Sequence, residues 1–172
     1  MTIEFIDDKN KFFSDVKILG KKNSSTLGFM PEGGFEDHAK KRCIIIAIDN
    51  ETLCGYIMYR EVPRYLRISI VHLCVDNKYR GKGLTKRLLD ALRLKYENSY
   101  NYHGILLSCR DDYKVASNVW KKYGFVPRDE VRSRSIENHS LKKWWYDFNR
   151  QDLFSLADVT TSKIRALLDA NI

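Results

Sequence analysis

Hydrophobic and polar residues alternate over "TIEFI", Thr2 to Ile6, the pattern of a short strand with one buried face. In "KFFSDVKILGKK" the apolar residues Phe12, Phe13, Val16 and Leu19 recur at three- and four-residue spacing, which predicts a helix. "NSSTLGFMPEGGF" mixes turn formers with apolar residues, so a structured loop is expected there. Its Phe29, Met30 and Phe35 either plug the core or wall a substrate site. Three β-rich runs follow, "CIIIAID", "TLCGYIMYREV" and "YLRISIVHLCV", divided by turns at Asn50–Glu51 and Pro63–Arg64. Connections this short predict an antiparallel meander.

From Gly83 the period changes to that of a helix. "GLTKRLLDALRLKY" puts Leu84, Leu88, Ala91, Leu92 and either Lys95 or Tyr96 on one stripe, with Lys86, Arg87, Asp90 and Arg93 expected to face away. "ILLSC" reads as a strand. Asp111 or Asp112 is expected to cap the helix "YKVASNVWKKY", which Gly124 ends. "FVPR" and "LKKWWYDF" supply the last two strands. Residues 1–150 thus read as one α/β domain, with 151–172 a polar linker and tail.

Composition narrows the partners. The chain has 172 residues, 44% hydrophobic and 30% charged, as in a soluble globular domain. Thirty Lys and Arg against 22 acidic residues give a net charge of +8, which favours anionic partners, nucleic acid and anionic cofactors included. Cys43, Cys54, Cys74 and Cys109 are widely spaced without a CxxC pair, and His38 with Cys43 is a poor ligand set. They read as reduced thiols of a cytoplasmic protein, with no metal expected. Neither a signal pattern nor an apolar run of membrane-span length is present, so no membrane partner is expected.

The most informative stretch is "VHLCVDNKYRGKGLTKRLL", Val71 to Leu89, where an apolar strand runs through a basic glycine turn straight into a helix. The first N–H groups of such a helix lack internal partners and carry partial positive charge. Gly81 and Gly83 permit a tight turn and close approach of a bulky group, and Arg80 and Lys82 add full charges. The turn therefore suits a phosphate or pyrophosphate. It is not a P-loop, because Gly81 and Gly83 are too close and no Lys-Ser/Thr pair follows. Nor is it a dinucleotide fingerprint, because Lys86 stands where the third glycine belongs.

Arg80, Gly81, Lys82, Gly83, Leu84 and Thr85 resemble the acetyl-CoA loop of the GCN5-related N-acetyltransferase (GNAT) superfamily, [Q/R]-x-x-G-x-[G/A], with Thr85 departing at the last place. Ala116, Trp120, Gly124 and Phe125 keep the spacing of the family's A-x-x-x-Y-x-x-x-G-F helix, with Trp120 in place of Tyr. The resemblance implies a mixed α+β fold with a mostly antiparallel central sheet, splayed between strands four and five and flanked by helices. It also implies acetyl-CoA as co-substrate, its pantetheine arm bonding the backbone of Leu73, Cys74 and Val75 in the splay. A backbone N–H there would stabilise the tetrahedral intermediate.

The same resemblance places His72 where many members carry a Glu base. A neutral imidazole is suited to that task near pH 7, and a satisfied core histidine is the other reading. Trp120 cannot deliver a proton to the departing thiolate. Tyr123, nearly one helical turn on, is the substitute, unless water serves and both aromatics only pack.

The acceptor stays open among a small-molecule amine, a protein amine and an aminoacyl-tRNA, and so does assembly into a homodimer. Trp144 and Trp145 either stack bases or pack in their strand. The competing function is a non-catalytic acyl-CoA-binding module. The tail "IRALLDANI" resembles the opening strand of a PIN-type nuclease domain, with Asp169 as its metal ligand, and equally suits a terminal helix.

Overall fold

Asn50 and Glu51 adopt positive φ values of 45° and 59°, the left-handed pair that reverses a chain within two residues in step with strand twist. The turn joins β2 (Ile44–Asp49) to β3 (Thr52–Val62), and Pro63–Tyr65 then leads to β4 (Arg67–Val75), which completes the expected meander. The computed structural model describes residues 1–99, 101–132 and 140–148. Its other elements are β1 (Thr2–Ile6), α1 (Phe13–Lys22), α2 (Ser24–Leu27), α3 (Glu32–Lys40), α4 (Leu84–Tyr96), β5 (Gly104–Arg110), α5 (Lys114–Lys122), β6 (Val126–Arg132) and β7 (Ser140–Asp147).

One sheet of order β1-β2-β3-β4-β5-β7-β6 carries these elements, and all its pairings but one are antiparallel. The exception is β4 with β5. Their connection crosses over through α4, as a parallel pair requires. Only Ile68, Ser69 and Ile70 pair with Ile105, Leu106 and Leu107, so the C-terminal half of β4 runs free of β5. This is the splay that the resemblance implied.

Strand alternation sends β-sheet side chains to two cores. Ile57, Tyr59, Ile68 and Ile70 face Leu84, Leu88, Leu89 and Leu92 of α4, together with Trp120 and Trp144. Tyr56, Met58 and Cys74 face Phe13, Val16 and Leu19 of α1 and Phe35 and Ala39 of α3. Each buried leucine of the α4 stripe contributes about 2–5 kcal/mol by the usual cost of truncation to alanine.

Three sequence expectations need correction. The segment after α1 is two helices rather than a loop. α3 forms despite Gly33 and Gly34 because Phe35 and Ala39, one turn apart, are both buried. Arg93 turns inward instead of away, its guanidinium 3.9 Å from the centre of the Tyr146 ring and donating to the Tyr123 carbonyl. Neither Asp111 nor Asp112 caps α5. Asp111 accepts from the Ser140 hydroxyl at 2.8 Å, Asp112 pairs with Arg110, and Tyr113 takes the N-cap place without a side-chain bond.

Candidate functional site

The basic turn keeps its helix start bare. Gly83, at φ 76°, is the N-cap of α4 and gives it no side-chain partner, and Gly81 is left-handed at φ 78°. A Cβ at either glycine would meet nothing within 4 Å, so both face open space. Arg87 N–H is the first in this helix to reach back, to Gly83 at 3.2 Å. The amides of Leu84, Thr85 and Lys86 precede it at the positive end of the helix. Arg80 and Lys82 are exposed beside them, with Arg80 Nε 3.4 Å from the Val75 carbonyl and the Lys82 ammonium 4.9 Å from the Tyr79 ring centre. Uncapped N–H groups, open space and two cations fit a pyrophosphate, so the residues present match the acyl-CoA phosphates.

The ladder between β3 and β4 decides which groups face the splay. Asp76 N–H bonds the Cys54 carbonyl at 2.9 Å, and antiparallel bonds alternate, so Cys74 also turns its N–H and C=O toward β3. Leu73 and Val75 turn theirs toward the gap. Of the three residues expected to hold the pantetheine arm, these two therefore direct backbone groups there, with the Val75 carbonyl already accepting from Arg80 Nε. The register slips between Met58 and Tyr59, opposite His72 and Ile70, which makes Val71 the extra residue of a β-bulge. The bulge puts Val71 on the same face as Cys74, packed against the core under α1.

His72 lies on that face too, 3% exposed. The Tyr56 hydroxyl is hydrogen-bonded to its Nδ1 at 2.9 Å, and the Phe35 ring meets the imidazole edge-on at 5.9 Å. Burial, with a smaller contribution from His38, pushes the imidazole down to about 4, and burial holds the Tyr56 phenol protonated. His72 is therefore neutral at pH 7. Burial likewise pushes the Cys74 thiol up to about 11, well away from a thiolate nucleophile.

Beside this buried pair a cavity of about 190 Å³ opens among Gly20, Lys21, Ser24, Phe29, Met30 and Phe35. Its floor, Phe35, is the ring that touches His72, and its rim carries Phe29 at 85% exposure. Sequence reasoning named Phe29, Met30 and Phe35 and missed Gly20. No local pattern marks that glycine, whose close neighbours come from other elements.

On the opposite face Trp120 is 7% exposed, packed edge-on against Phe125 at 5.4 Å, and its indole N–H has no hydrogen-bond partner. Tyr123 follows α5 as its C-cap, half-buried against the core under α4. Trp144 is buried at 1%, and Trp145 has the guanidinium groups of Arg67 and Arg128 at 5.1 and 5.5 Å from its ring centre, so both tryptophans are engaged within the sheet. Among the described residues no group of three His, Cys, Asp or Glu side chains is placed to hold a metal, and no helix is long and apolar enough to cross a membrane.

The sequence model of the acetyltransferase (GNAT) family matches residues 12–125. An N-alpha-acetyltransferase of Saccharolobus solfataricus is 28% identical over 130 residues, 68% of this chain and 78% of that one. A spermine/spermidine N(1)-acetyltransferase of Bacillus subtilis is 29% identical over 85 residues, 46% of this chain and 56% of that one. Arabidopsis thaliana NAA60, solved with a bisubstrate analogue, superposes with a TM-score of 0.72 over 86% of this chain and 98% of its own, at 16% identity. The nuclease-like start expected around Asp169 lies outside the described residues, and the comparisons do not bear it out.

Proposed function

The chain belongs to the acetyltransferase (GNAT) family, and from that premise we propose that it acetylates the α-amine of a peptide whose first side chain is apolar. That it is an acetyl-CoA-dependent N-acetyltransferase follows from the family. The finer reading rests on one observation, the apolar cavity walled by Phe29, Met30 and Phe35 beside a neutral, buried His72.

Proton chemistry points the same way. An α-amine has a pKa of about 7.7–8.0, so about a tenth of it is neutral at pH 7, whereas a lysine-like or polyamine nitrogen near 10.4 is almost wholly protonated. The gap, about 2.5 pH units, is worth about 3.4 kcal/mol that a general base would have to supply. An imidazole held at about 4 is a weak base for a strongly basic amine. In this reading the acceptor arrives largely prepared and water removes its proton. His72 holds Tyr56 and the bulge in place, and takes up a proton only from the far more acidic ammonium formed on attack.

The chain's own groups then divide the work. The amides at the start of α4, with Arg80 and Lys82, bind the phosphates, and Leu73 and Val75 bind the pantetheine arm in the splay. A backbone N–H next to the bulge stabilises the oxygen that gains charge on attack. Tyr123 is the candidate for protonating the departing thiolate.

The test is acetylation, by the purified chain, of short peptides that differ only in their first residue, Leu, Met, Ser or Asp, beside spermidine. Turnover of the Leu and Met peptides, lowered by Met30→Asp, supports the reading. Spermidine as the better acceptor overturns it, and binding of acetyl-CoA without turnover of any amine would establish a non-catalytic module.

A further inference from the structure

Tyr113 ties together two segments 88 residues apart. Its hydroxyl donates to the Ser25 carbonyl of α2 at 2.8 Å, and Arg110 Nη1 donates to the same hydroxyl at 3.3 Å. The Arg110 guanidinium also lies 4.6 Å from the Tyr113 ring centre and is held by Asp112 at 3.0 and 2.5 Å. The phenol is thus oriented from its own side before it reaches across.

What it reaches has few other anchors. No residue of α2 is fully buried, only Leu27 packs in part against the core, and Gly28 behind it takes φ 90° with open space around it. Yet α2 carries Ser24, and Phe29 follows it, both of which line the apolar cavity. The two ends of the bond also stand on either side of the splay. α2 continues from α1, which packs over β3 and β4, while Tyr113 follows the end of β5. Since β4 and β5 part after Ile70 and Leu107, the bond bridges the open end of the gap between them.

We propose that Tyr113 is a positioning residue for the acceptor: its hydroxyl latches α2 to the β5–α5 junction and so fixes the wall of the cavity that receives the acceptor's first side chain. The inference rests on the acceptor reading given above. It assigns to a single hydroxyl a contribution to acceptor affinity but not to donor affinity. A purely structural tyrosine would affect both substrates alike, or only the melting temperature.

Tyr113→Phe removes the hydroxyl and keeps the ring under Arg110. Amide exchange in the chain without substrates reads the latch directly, because Thr26, Leu27 and Gly28 donate to Asn23, Asn23 and Ser24 within this segment. Loss of one hydrogen bond predicts exchange about 3- to 10-fold faster at these three amides. It also predicts a KM for a Leu-initiated peptide raised by a similar factor, with kcat and the Kd for acetyl-CoA within about twofold of wild type.

Unchanged exchange overturns the latch whatever the acceptor proves to be. Faster exchange with an unchanged acceptor KM, or an equal loss of affinity for both substrates, overturns the positioning role. If the wild-type chain acetylates no peptide but another amine, the acceptor reading fails by itself. The KM measured with that amine then decides the latch by the same criteria.

Discussion

Gly20 and Tyr56 meet more closely than any side chain at position 20 would allow: a Cβ there would stand 2.6 Å from the phenolic oxygen and as close to the Phe35 ring. Both rings are buried, at 0% and 1%, so neither can swing away. The glycine, in the last turn of a helix, is therefore what lets α1 approach the Tyr56–His72 pair.

Gly20→Ala sets two effects against each other. Helix propensity favours alanine by about 1 kcal/mol, while overpacking a closed core costs about 1–3 kcal/mol. Overpacking wins, with a net loss of about 1 kcal/mol in chemical denaturation. The acceptor KM should rise as well, because the displaced Phe35 ring is the cavity floor. An alanine variant more stable than wild type would show that the contact is loose.

The depressed His72 predicts a pH-dependent stability of defined sign. Its folded pKa, about 4, lies below the ordinary 6.5, so between those values the unfolded chain binds a proton that the native chain refuses. Stability is fully present above pH 6.5 and falls as the pH drops toward 4, by about 3 kcal/mol in all at about 1.4 kcal/mol per pH unit. His72→Asn keeps a hydrogen-bonding partner for Tyr56 and removes the titration. Urea denaturation from pH 5 to 7 should therefore give a steep profile for wild type and a flatter one for the variant. Parallel profiles would mean that the imidazole titrates normally.

Much of the site was legible because it is dictated by the backbone. Gly81 and Gly83 can hold φ near +76° where other residues are strained, and a strand, a basic turn and a leucine stripe in succession leave little else for the turn to do. α3 was not legible, since Gly33 and Gly34 argue against a helix and only tertiary burial of Phe35 and Ala39 overrides them. The caps expected at Asp111 and Asp112 failed for a similar reason, as Ser140, 29 residues away, engages the first carboxylate. The bulge at Val71 depends on register against β3, and the Tyr113–Ser25 bond spans 88 residues, so neither leaves a trace in local spacing.

Gly83→Glu tests the donor loop. The substitution strains a left-handed position and projects a carboxylate into the open space before the α4 amides, the proposed site of the phosphates. Affinity for acetyl-CoA in calorimetric titration should drop at least 100-fold, with the fold retained by circular dichroism. Gly83→Ala, with the strain but not the charge, should lose about tenfold or less. Equal losses in the two variants would mean that loop conformation, and not phosphate binding, governs affinity.

Tyr123 and Trp120 separate a chemical role from a packing role. If the Tyr123 hydroxyl protonates the leaving thiolate, Tyr123→Phe should lower kcat by about 100-fold, the lower end of general acid catalysis, with both KM values little changed. Trp120→Phe should behave oppositely. It removes buried ring from the contact with Phe125, costs about 1–3 kcal/mol of stability, and leaves kcat nearly unchanged at temperatures where the variant stays folded. A kcat for Tyr123→Phe within twofold of wild type would assign the proton to water and leave Tyr123 as the cap of α5. In that case its carbonyl, which binds the inward Arg93, would be the part of the residue the fold depends on.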